Sequence, residues 1–275
     1  MRDFLVLARR AFEADHGAAY AARLAARMRA TLTGLHVPLG VSGPLPAYDA
    51  DTVMAQYAAW MAAELDRARA MAPGFEAWAG SLGVAHPAWI VADGPLAALV
   101  RYVGHWHDVL VVGGDADDGW NTPGGLADLL LGSGLPCVVV PAATPAGPVR
   151  LESVAVAWNG SVEAIRALHA ARPLLQQAER VHLLVGEERA YGGSWPAFPL
   201  ERWCASHGLH VVAEPLPAVS DDDDAGEAIL DGARACGAEL LVLGAYGRSR
   251  LAEWALGGVT RHLLRHSPLP LLMRH

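Results

Sequence analysis

One order of segments occurs twice along this chain of 275 residues, and it constrains the fold more than any other feature. In both copies a segment with Glu, Trp and a later Gly comes first, and an apolar run ending in Gly comes second. A Leu–Pro pair followed by another apolar run comes third. The aligned ranges are 75–84 with 200–209, 108–114 with 239–245, and 129–140 with 263–273. Three matches in one order, over a period far longer than a solenoid unit, predict duplication of a whole domain.

Each copy alternates short apolar runs with helical patterns. The predicted strands are 4–7, 33–37, 88–91, 109–112 and 137–140 in the first copy, and 154–157, 181–185, 210–213, 240–243 and 269–273 in the second. Apolar residues at helical spacing predict helices at 162–177, 201–207 and 225–236, with an extra helix at 52–71. Alternation of this kind indicates an α/β fold, with a parallel sheet covered by helices on both faces. Right-handed crossovers make each copy doubly wound.

The segment between the copies is typical of a linker. Residues 142–148 are rich in Pro and Gly and show no periodicity. We therefore predict a first domain at 1–141, a linker at 142–150 and a second domain at 151–275. Hydrophobic residues make up 53% of the chain against 18% charged ones, which is enough apolar surface for the cores of two domains.

Charge and cysteine content exclude several classes of protein. The net charge of −8 gives no basic footprint for nucleic acid. The three cysteines, Cys137, Cys204 and Cys236, are odd in number and lie among apolar residues, which predicts reduced core thiols. No apolar run is long enough to span a membrane, and residues 4–8 are too short for the core of a signal peptide. These features predict a cytoplasmic protein that binds neither nucleic acid nor membrane.

Glycines follow the apolar run 240–243 in a spacing that suits a phosphate. Gly244 and Gly247 are followed by nine residues and then by Gly257 and Gly258. A strand that leads through a Gly-rich turn to a helix N-terminus can direct backbone N–H groups at a phosphate. The spacing is not that of a P-loop, because no Gly-Lys-Ser/Thr follows. The glycines also have a structural explanation, in which they only permit a tight turn.

This loop resembles the phosphate loop of the universal stress protein family, which reads Gly, two residues, Gly, nine residues, Gly, and then Ser or Thr. The chain departs from that pattern at its last position, where Gly258 provides no hydroxyl. Thr260 or Arg248 are the residues that could replace the missing contact. Because the likeness covers both copies, the whole chain resembles a tandem universal stress protein. The resemblance implies two flavodoxin-like domains, each with a five-stranded sheet, whose final strands pair to form an intramolecular pseudo-dimer.

The ligand site implied by the resemblance lies in the second copy, at the carboxyl ends of the strands. The turn Asn159-Gly160-Ser161 is expected opposite Gly244 and Gly247, and the family's nucleotide-binding members carry Asp at the Asn159 position. Val185 and Gly186 correspond to the adenine side. Trp158 either stacks on a base or packs beneath a helix. The full expected set is Trp158, Asn159, Gly160, Ser161, Val185, Gly186, Gly244, Gly247, Arg248, Gly257, Gly258 and Thr260.

The first copy is expected not to bind a nucleotide. No glycine turn follows its first strand, and Asp115, Asp117 and Asp118 follow its fourth strand, where they would repel a phosphate. The extra helix 52–71 has an apolar face formed by Val53, Ala55, Tyr57, Trp60, Met61 and Leu65. This face is expected to pack on the domain, with a lid over a hydrophobic ligand as the alternative. The run Asp221–Asp224 is interpreted as a solvated helix start and not as a metal site.

Three functions remain open at this stage. The first is a non-enzymatic stress-response protein that binds an adenine nucleotide, with ATP and Mg²⁺ as the expected ligand. The second is a scaffold or sensor of the same family without a nucleotide, since Asn159 and Gly258 both depart from the ATP-binding pattern. The third is a slow ATPase, for which Ser161, Ser249 and Thr260 are the acceptor groups. No catalytic residue and no metal site is predicted, and homodimer formation stays open.

Overall fold

Ten strands form one sheet in the structure, a computed structural model that describes residues 1–38, 50–114, 123–186, 198–219, 221–245 and 257–275. The strands are β1 (Asp3–Leu7), β2 (Thr31–His36), β3 (Pro87–Val91), β4 (Val109–Gly113), β5 (Cys137–Val140), β6 (Ser153–Trp158), β7 (Arg180–Val185), β8 (Val211–Pro215), β9 (Leu240–Gly244) and β10 (Leu271–Arg274). The described helices are α1 (His16–Met28), α2 (Ala50–Arg69), α3 (Ala72–Ser81), α4 (Leu96–Gly104), α5 (Pro123–Ser133), α6 (Val162–Leu175), α7 (Leu200–Ser206), α8 (Asp222–Ala235) and α9 (Gly258–His266). The predicted strands are present, with ends shifted by a few residues.

The strand order is β3-β2-β1-β4-β5-β10-β9-β6-β7-β8, so each half of the chain supplies five neighbouring strands in the same relative order. Paired strands within each half run parallel. The two halves meet where β5 and β10 pair in antiparallel fashion, with Cys137 opposite Met273 and Val138 opposite Leu272. We call this pairing the seam. The predicted α/β fold, with two doubly wound flavodoxin-like halves joined through their final strands, is confirmed.

Successive side chains of the strands enter two cores, one on each face of the sheet. Phe4 and Val6 of β1 belong to the first core, and Leu5 and Leu7 belong to the second. Helices α1, α3, α6 and α7 supply the first core, and α4, α5, α8 and α9 supply the second. Each core contains residues of both halves, because the two halves form one continuous sheet. The central strands are apolar on both faces, as buried parallel strands are.

Side-chain caps determine where two of the second-half helices begin. Ser161 Oγ accepts from the Ala164 N–H at the start of α6, at 3.1 Å. Asp221 Oδ1 accepts from the Asp224 N–H at the start of α8, at 2.8 Å. Helix α8 therefore begins three residues before the predicted start at 225, since the acidic run forms its cap and first turn.

The extra helix is only partly packed. In α2, Met61 and Ala68 are buried, and the Trp89 indole N–H donates to the Ala68 carbonyl at 2.9 Å. Trp60 and Met54 are exposed, although the sequence analysis placed Trp60 on the packed face. The packing expectation thus holds for the second part of the helix. Its partner is β3, an edge strand, which offers less surface than the centre of the sheet.

The cysteines and the helix lengths agree with the expectations from composition. Cys137 and Cys204 are buried, Cys236 is partly buried, and all three are free thiols. Burial raises the pKa of the Cys137 thiol, which keeps it protonated and unreactive. Within the described ranges, no helix has both the length and the apolar character needed to cross a membrane.

Substitution at the seam should cost more stability than substitution of an exposed valine in an edge strand. Leu272 is fully buried between β5 and β9, so Leu272→Ala should lower the free energy of unfolding by about 2–5 kcal/mol through lost contacts and a cavity. Val212 of the edge strand β8 is 43% exposed, and Val212→Ala should stay within about 0.5 kcal/mol of the wild type. Urea unfolding monitored by tryptophan fluorescence measures the free energy of unfolding of both variants. Equal losses of stability would contradict the central position of Leu272 at the seam.

Candidate functional site

The first strand of the second half ends in a turn that its own side chains hold. Asn159 Oδ1 accepts from the Ser161 N–H at 3.1 Å, and Gly160 between them has φ of +71°. A side chain at Gly160 would be strained at this angle, so glycine is required by the backbone. Asn159 is exposed and Ser161 is buried. The turn presents Asn159 to solvent while the Ser161 oxygen is occupied as the cap of α6.

Gly244, at the end of β9, lies against the first turn of α6. A Cβ atom on Gly244 would be 2.5 Å from the carbonyl carbon of Glu163 and 2.8 Å from its Cβ. The close approach of strand to helix therefore accounts for this glycine without a ligand. It also brings the end of β9 beside the Asn159–Ser161 turn, as expected from the topology.

The adenine-side residues lie at the end of β7, next to that turn. Gly186 N–H donates to the Trp158 carbonyl at 2.9 Å, and the Leu216 N–H donates to the Val185 carbonyl at 2.8 Å. A Cβ atom on Gly186 would have the Trp158 carbonyl oxygen, 3.8 Å away, as its nearest described neighbour. Among the described residues, none overlaps a Cβ atom at Gly186, and the Val185 oxygen keeps a second lone pair.

Trp158 is a core residue. Its side chain is 3% exposed and lies 5.6 Å from the ring of Phe198, between centroids. Of the two predicted roles for Trp158, packing beneath a helix agrees with the structure, because the indole belongs to the first core together with Phe198 and Trp203. The contribution of Trp158 to the site is its backbone carbonyl.

The N-terminus of α9 carries the last glycines of the motif. Gly257 occupies the cap position and has no side chain to accept from the first N–H groups of the helix. Thr260 is buried, which places its hydroxyl inside the protein. Gly247, Arg248 and Ser249 lie outside the described residues.

Gly258 is held by a contact between α9 and α8. A Cβ atom there would lie within 2.5 Å of the Asp222 carboxylate oxygen Oδ2 and 2.9 Å of its Cγ. One turn further along, a Cβ atom on Gly226 would meet the ring of His262 at 2.6–2.9 Å. Each helix thus places a side chain over a glycine of the other. The sequence analysis missed this pair, because nothing in the local pattern indicates which helices touch.

The two histidines of α9 face the acidic helix. His262 Nδ1 lies 3.5 Å from Asp223 Oδ1, and its Nε2 lies 3.3 Å from Glu227 Oε2. The hydrogen bond from His262 lowers the pKa of Glu227. The ring of His266 is 4.3 Å from that of His262. The structure, within its described part, brings no three His, Cys, Asp or Glu residues together for a metal ion.

The equivalent place in the first half is filled by side chains. Asp15 Oδ2 accepts from the Arg9 N–H at 3.1 Å, and Oδ1 accepts from the Ala18 N–H at 3.0 Å. A Cβ atom on Gly113, at the end of β4, would lie 3.6 Å from the His16 ring. These contacts place the side chains of Asp15 and His16 between the ends of β1 and β4. Asp115, Asp117 and Asp118 lie outside the described residues.

The comparison with protein families gives one match. Residues 151–275 match the model of the Universal stress protein family. This half of the chain is therefore a universal stress protein domain. A search of curated proteins found no match.

Solved structures extend the likeness to the whole chain at the level of fold. A universal stress protein from Archaeoglobus fulgidus DSM 4304 is 14% identical with a TM-score of 0.67, over 98% of this chain and 95% of that one. A functionally unknown protein from Pseudomonas aeruginosa PAO1 is 15% identical with a TM-score of 0.57, over 100% of this chain and 92% of that one. Both likenesses show a shared fold across both halves.

The contact at Gly258 explains where the second half departs from the family loop. Gly258→Ser introduces the family's hydroxyl, but it should lower stability by about 1–3 kcal/mol because its Cβ overlaps Asp222. Asp222→Gly, which also removes the Asp222 Cβ atom that lies against this position, should recover most of this loss in the double variant, and a double-mutant cycle measures the recovery by urea unfolding.

Gly257→Ser is the matched control for that cycle. The neighbouring glycine has no described atom within 4 Å of its Cβ position, and serine is favoured at a helix cap. It should therefore be neutral or slightly stabilising. If Gly258→Ser is as well tolerated as Gly257→Ser, packing against Asp222 does not explain the glycine.

Proposed function

We propose that this chain is a non-enzymatic stress-response protein whose second half binds an adenine nucleotide between the carboxyl ends of β6, β7 and β9. The observation that carries the proposal is the position of this crevice. From β6 the chain proceeds to β7 and β8 on one side and later to β9 and β10 on the other, so β6 and β9 flank the switch point of the sheet. Ligands of open α/β sheets bind at that point.

The residues around the crevice suit a nucleotide by backbone contacts and shape. The exposed Asn159 amide offers both donors and an acceptor to the nucleoside. The absence of a side chain at Gly186 lets a base approach the Val185 backbone. The first N–H groups of α9, which follow Gly257, are the donors for a phosphate.

Binding without turnover agrees with the state of the predicted acceptor groups. Ser161 is 4% exposed and its oxygen caps α6, while Thr260 is 5% exposed. Neither hydroxyl is presented at the surface of the crevice. These positions favour the binding hypothesis over the slow ATPase among the residues that the structure describes.

A specific contact favours the second candidate, a scaffold or sensor without a nucleotide. The Asp222 carboxylate lies against Gly258, in the first turn of α9, where the resemblance places a phosphate. A fixed negative charge at that position repels a phosphate, so the phosphate part of the site is weakened relative to the nucleoside part. The two candidates therefore differ in whether the nucleoside contacts alone are sufficient to bind a nucleotide.

Thermal melting with ATP and Mg²⁺ tests nucleotide binding directly. A ligand that binds only the native state raises the melting temperature. At a ligand concentration of a hundred times its Kd, it raises the free energy of unfolding by about 2.7 kcal/mol. Gly186→Leu should abolish the shift, because its side chain fills the base side of the crevice. Gly80→Leu, on the exposed face of α3, is the control and should keep it. No shift for the wild type at millimolar ATP would favour the scaffold.

Neutralising Asp222 should strengthen the binding of phosphates selectively. Asp222→Asn should lower the Kd of ATP by about tenfold, or about 1.4 kcal/mol, while adenosine binding stays unchanged. Asp231→Asn removes the same charge from α8 further along the helix and should leave both affinities unchanged. Titration calorimetry with ATP and adenosine provides the comparison. An equal gain for both ligands would mean that Asp222 does not act on the phosphates.

A further inference from the structure

A cleft of about 510 Å³ opens beside the seam, between α6 and the first half of the chain. Asp108 and Pro136, which directly precede β4 and β5, form one wall. Arg166, His169 and Arg172 of α6 form the other wall, together with Arg274 at the end of β10. None of the residues expected to bind the nucleotide belongs to this lining.

The charges in this cleft are unbalanced. Three guanidinium groups, those of Arg166, Arg172 and Arg274, line it, against the one carboxylate of Asp108. That carboxylate accepts hydrogen bonds from the backbone N–H groups of Arg2 at 2.5 Å and of Asp3 at 3.3 Å. Among the ion pairs of the described residues, none includes any of the three arginines. A chain with a net charge of −8 thus gathers uncompensated positive charge at one place.

The contacts of these side chains hold them in position without neutralising them. Arg274 Nη1 donates to the carbonyl of Gly134, a neutral acceptor, across the boundary between the halves. Arg172 Nη1 lies 3.3 Å from Nε2 of His207, whose ring stacks on Trp203 at 4.2 Å between centroids. The ring of His169 lies 4.8 Å from the ring of the same Trp203, between centroids. Arg172 and Arg274 are therefore held in place, which reduces the conformational entropy that their side chains lose when a ligand binds.

Burial and mutual repulsion lower the pKa values of two groups in the cleft. Burial lowers the pKa of Arg274, and the nearby charge of Arg166 lowers it further. Burial also lowers the pKa of His169, with added contributions from His207 and Arg172. An anion between these side chains would relieve both effects.

We propose that this cleft is a binding site for a small anion that carries phosphate or carboxylate groups. The planar guanidinium groups of Arg166, Arg172 and Arg274 provide paired N–H donors that match either kind of anion. The volume lies within the range of small-molecule sites, and it is too small for a folded partner. The site needs both halves, because the seam brings Arg274 beside Asp108 and Pro136.

Titration calorimetry of the full chain with pyrophosphate and with citrate tests this site. We expect one equivalent of at least one anion to bind, and comparing the two probes separates phosphate from carboxylate recognition. The variant Arg166→Gln/Arg172→Gln should raise the Kd at least tenfold. Both side chains are exposed, so this variant should keep the wild-type circular dichroism spectrum and melting temperature.

Arg101→Gln/Arg261→Gln is the matched control, since it removes two exposed arginines from α4 and α9, outside the cleft. It should leave the Kd unchanged. The proposal fails if the wild type binds neither anion at millimolar concentration, or if the control weakens binding as much as the cleft variant. It also fails if Asp222→Asn strengthens pyrophosphate binding while the cleft variant leaves it unchanged, because the anion would then belong to the phosphate part of the nucleotide crevice.

Discussion

The antiparallel pairing of β5 with β10 is the contact on which the rest of the molecule depends. Without it, two apolar strands, Cys137–Val140 and Leu271–Arg274, would each form an open edge with unpaired backbone groups. The strands that remain at the true edges, β3 and β8, are partly exposed along their whole length, and β8 carries Glu214. The chain thus buries the edges of β5 and β10 against each other and leaves β3 and β8 at the partly exposed edges of the sheet.

The same pairing determines where binding sites can form. Since the halves meet in antiparallel fashion, the amino ends of the first-half strands lie at the same border of the sheet as the carboxyl ends of the second-half strands. Arg274 ends β10 at that border, next to the residues that precede β4 and β5. One border therefore carries both the crevice of the second half and the cationic cleft. The equivalent crevice of the first half is filled by Asp15 and His16.

The sequence predicted the central strands well because each of them is an apolar run that must be buried on both faces. It also predicted the turn at Asn159 and the glycine-rich start of α9, where a local pattern carries the information. It could not predict that Asp222 lies on Gly258, because the two residues are far apart in sequence and meet only through helix packing. For the same reason it assigned Trp60 to a packed face, although α2 has only an edge strand beneath it.

The contact between α8 and α9 gives the missing hydroxyl of the phosphate loop a physical cause. The helices approach each other through two glycines, Gly226 and Gly258, each covered by a side chain of the other helix. A serine at either position would separate the helices. The carboxylate that covers Gly258 also lies at the positive end of the α9 dipole, which it stabilises as a bound anion would. The Asp222 carboxylate of α8 thus brings negative charge to the N-terminus of α9, where a phosphate would bring it in a nucleotide-bound protein. Retention of nucleotide binding then depends on the nucleoside side of the crevice, where Asn159 is exposed and Gly186 has no side chain.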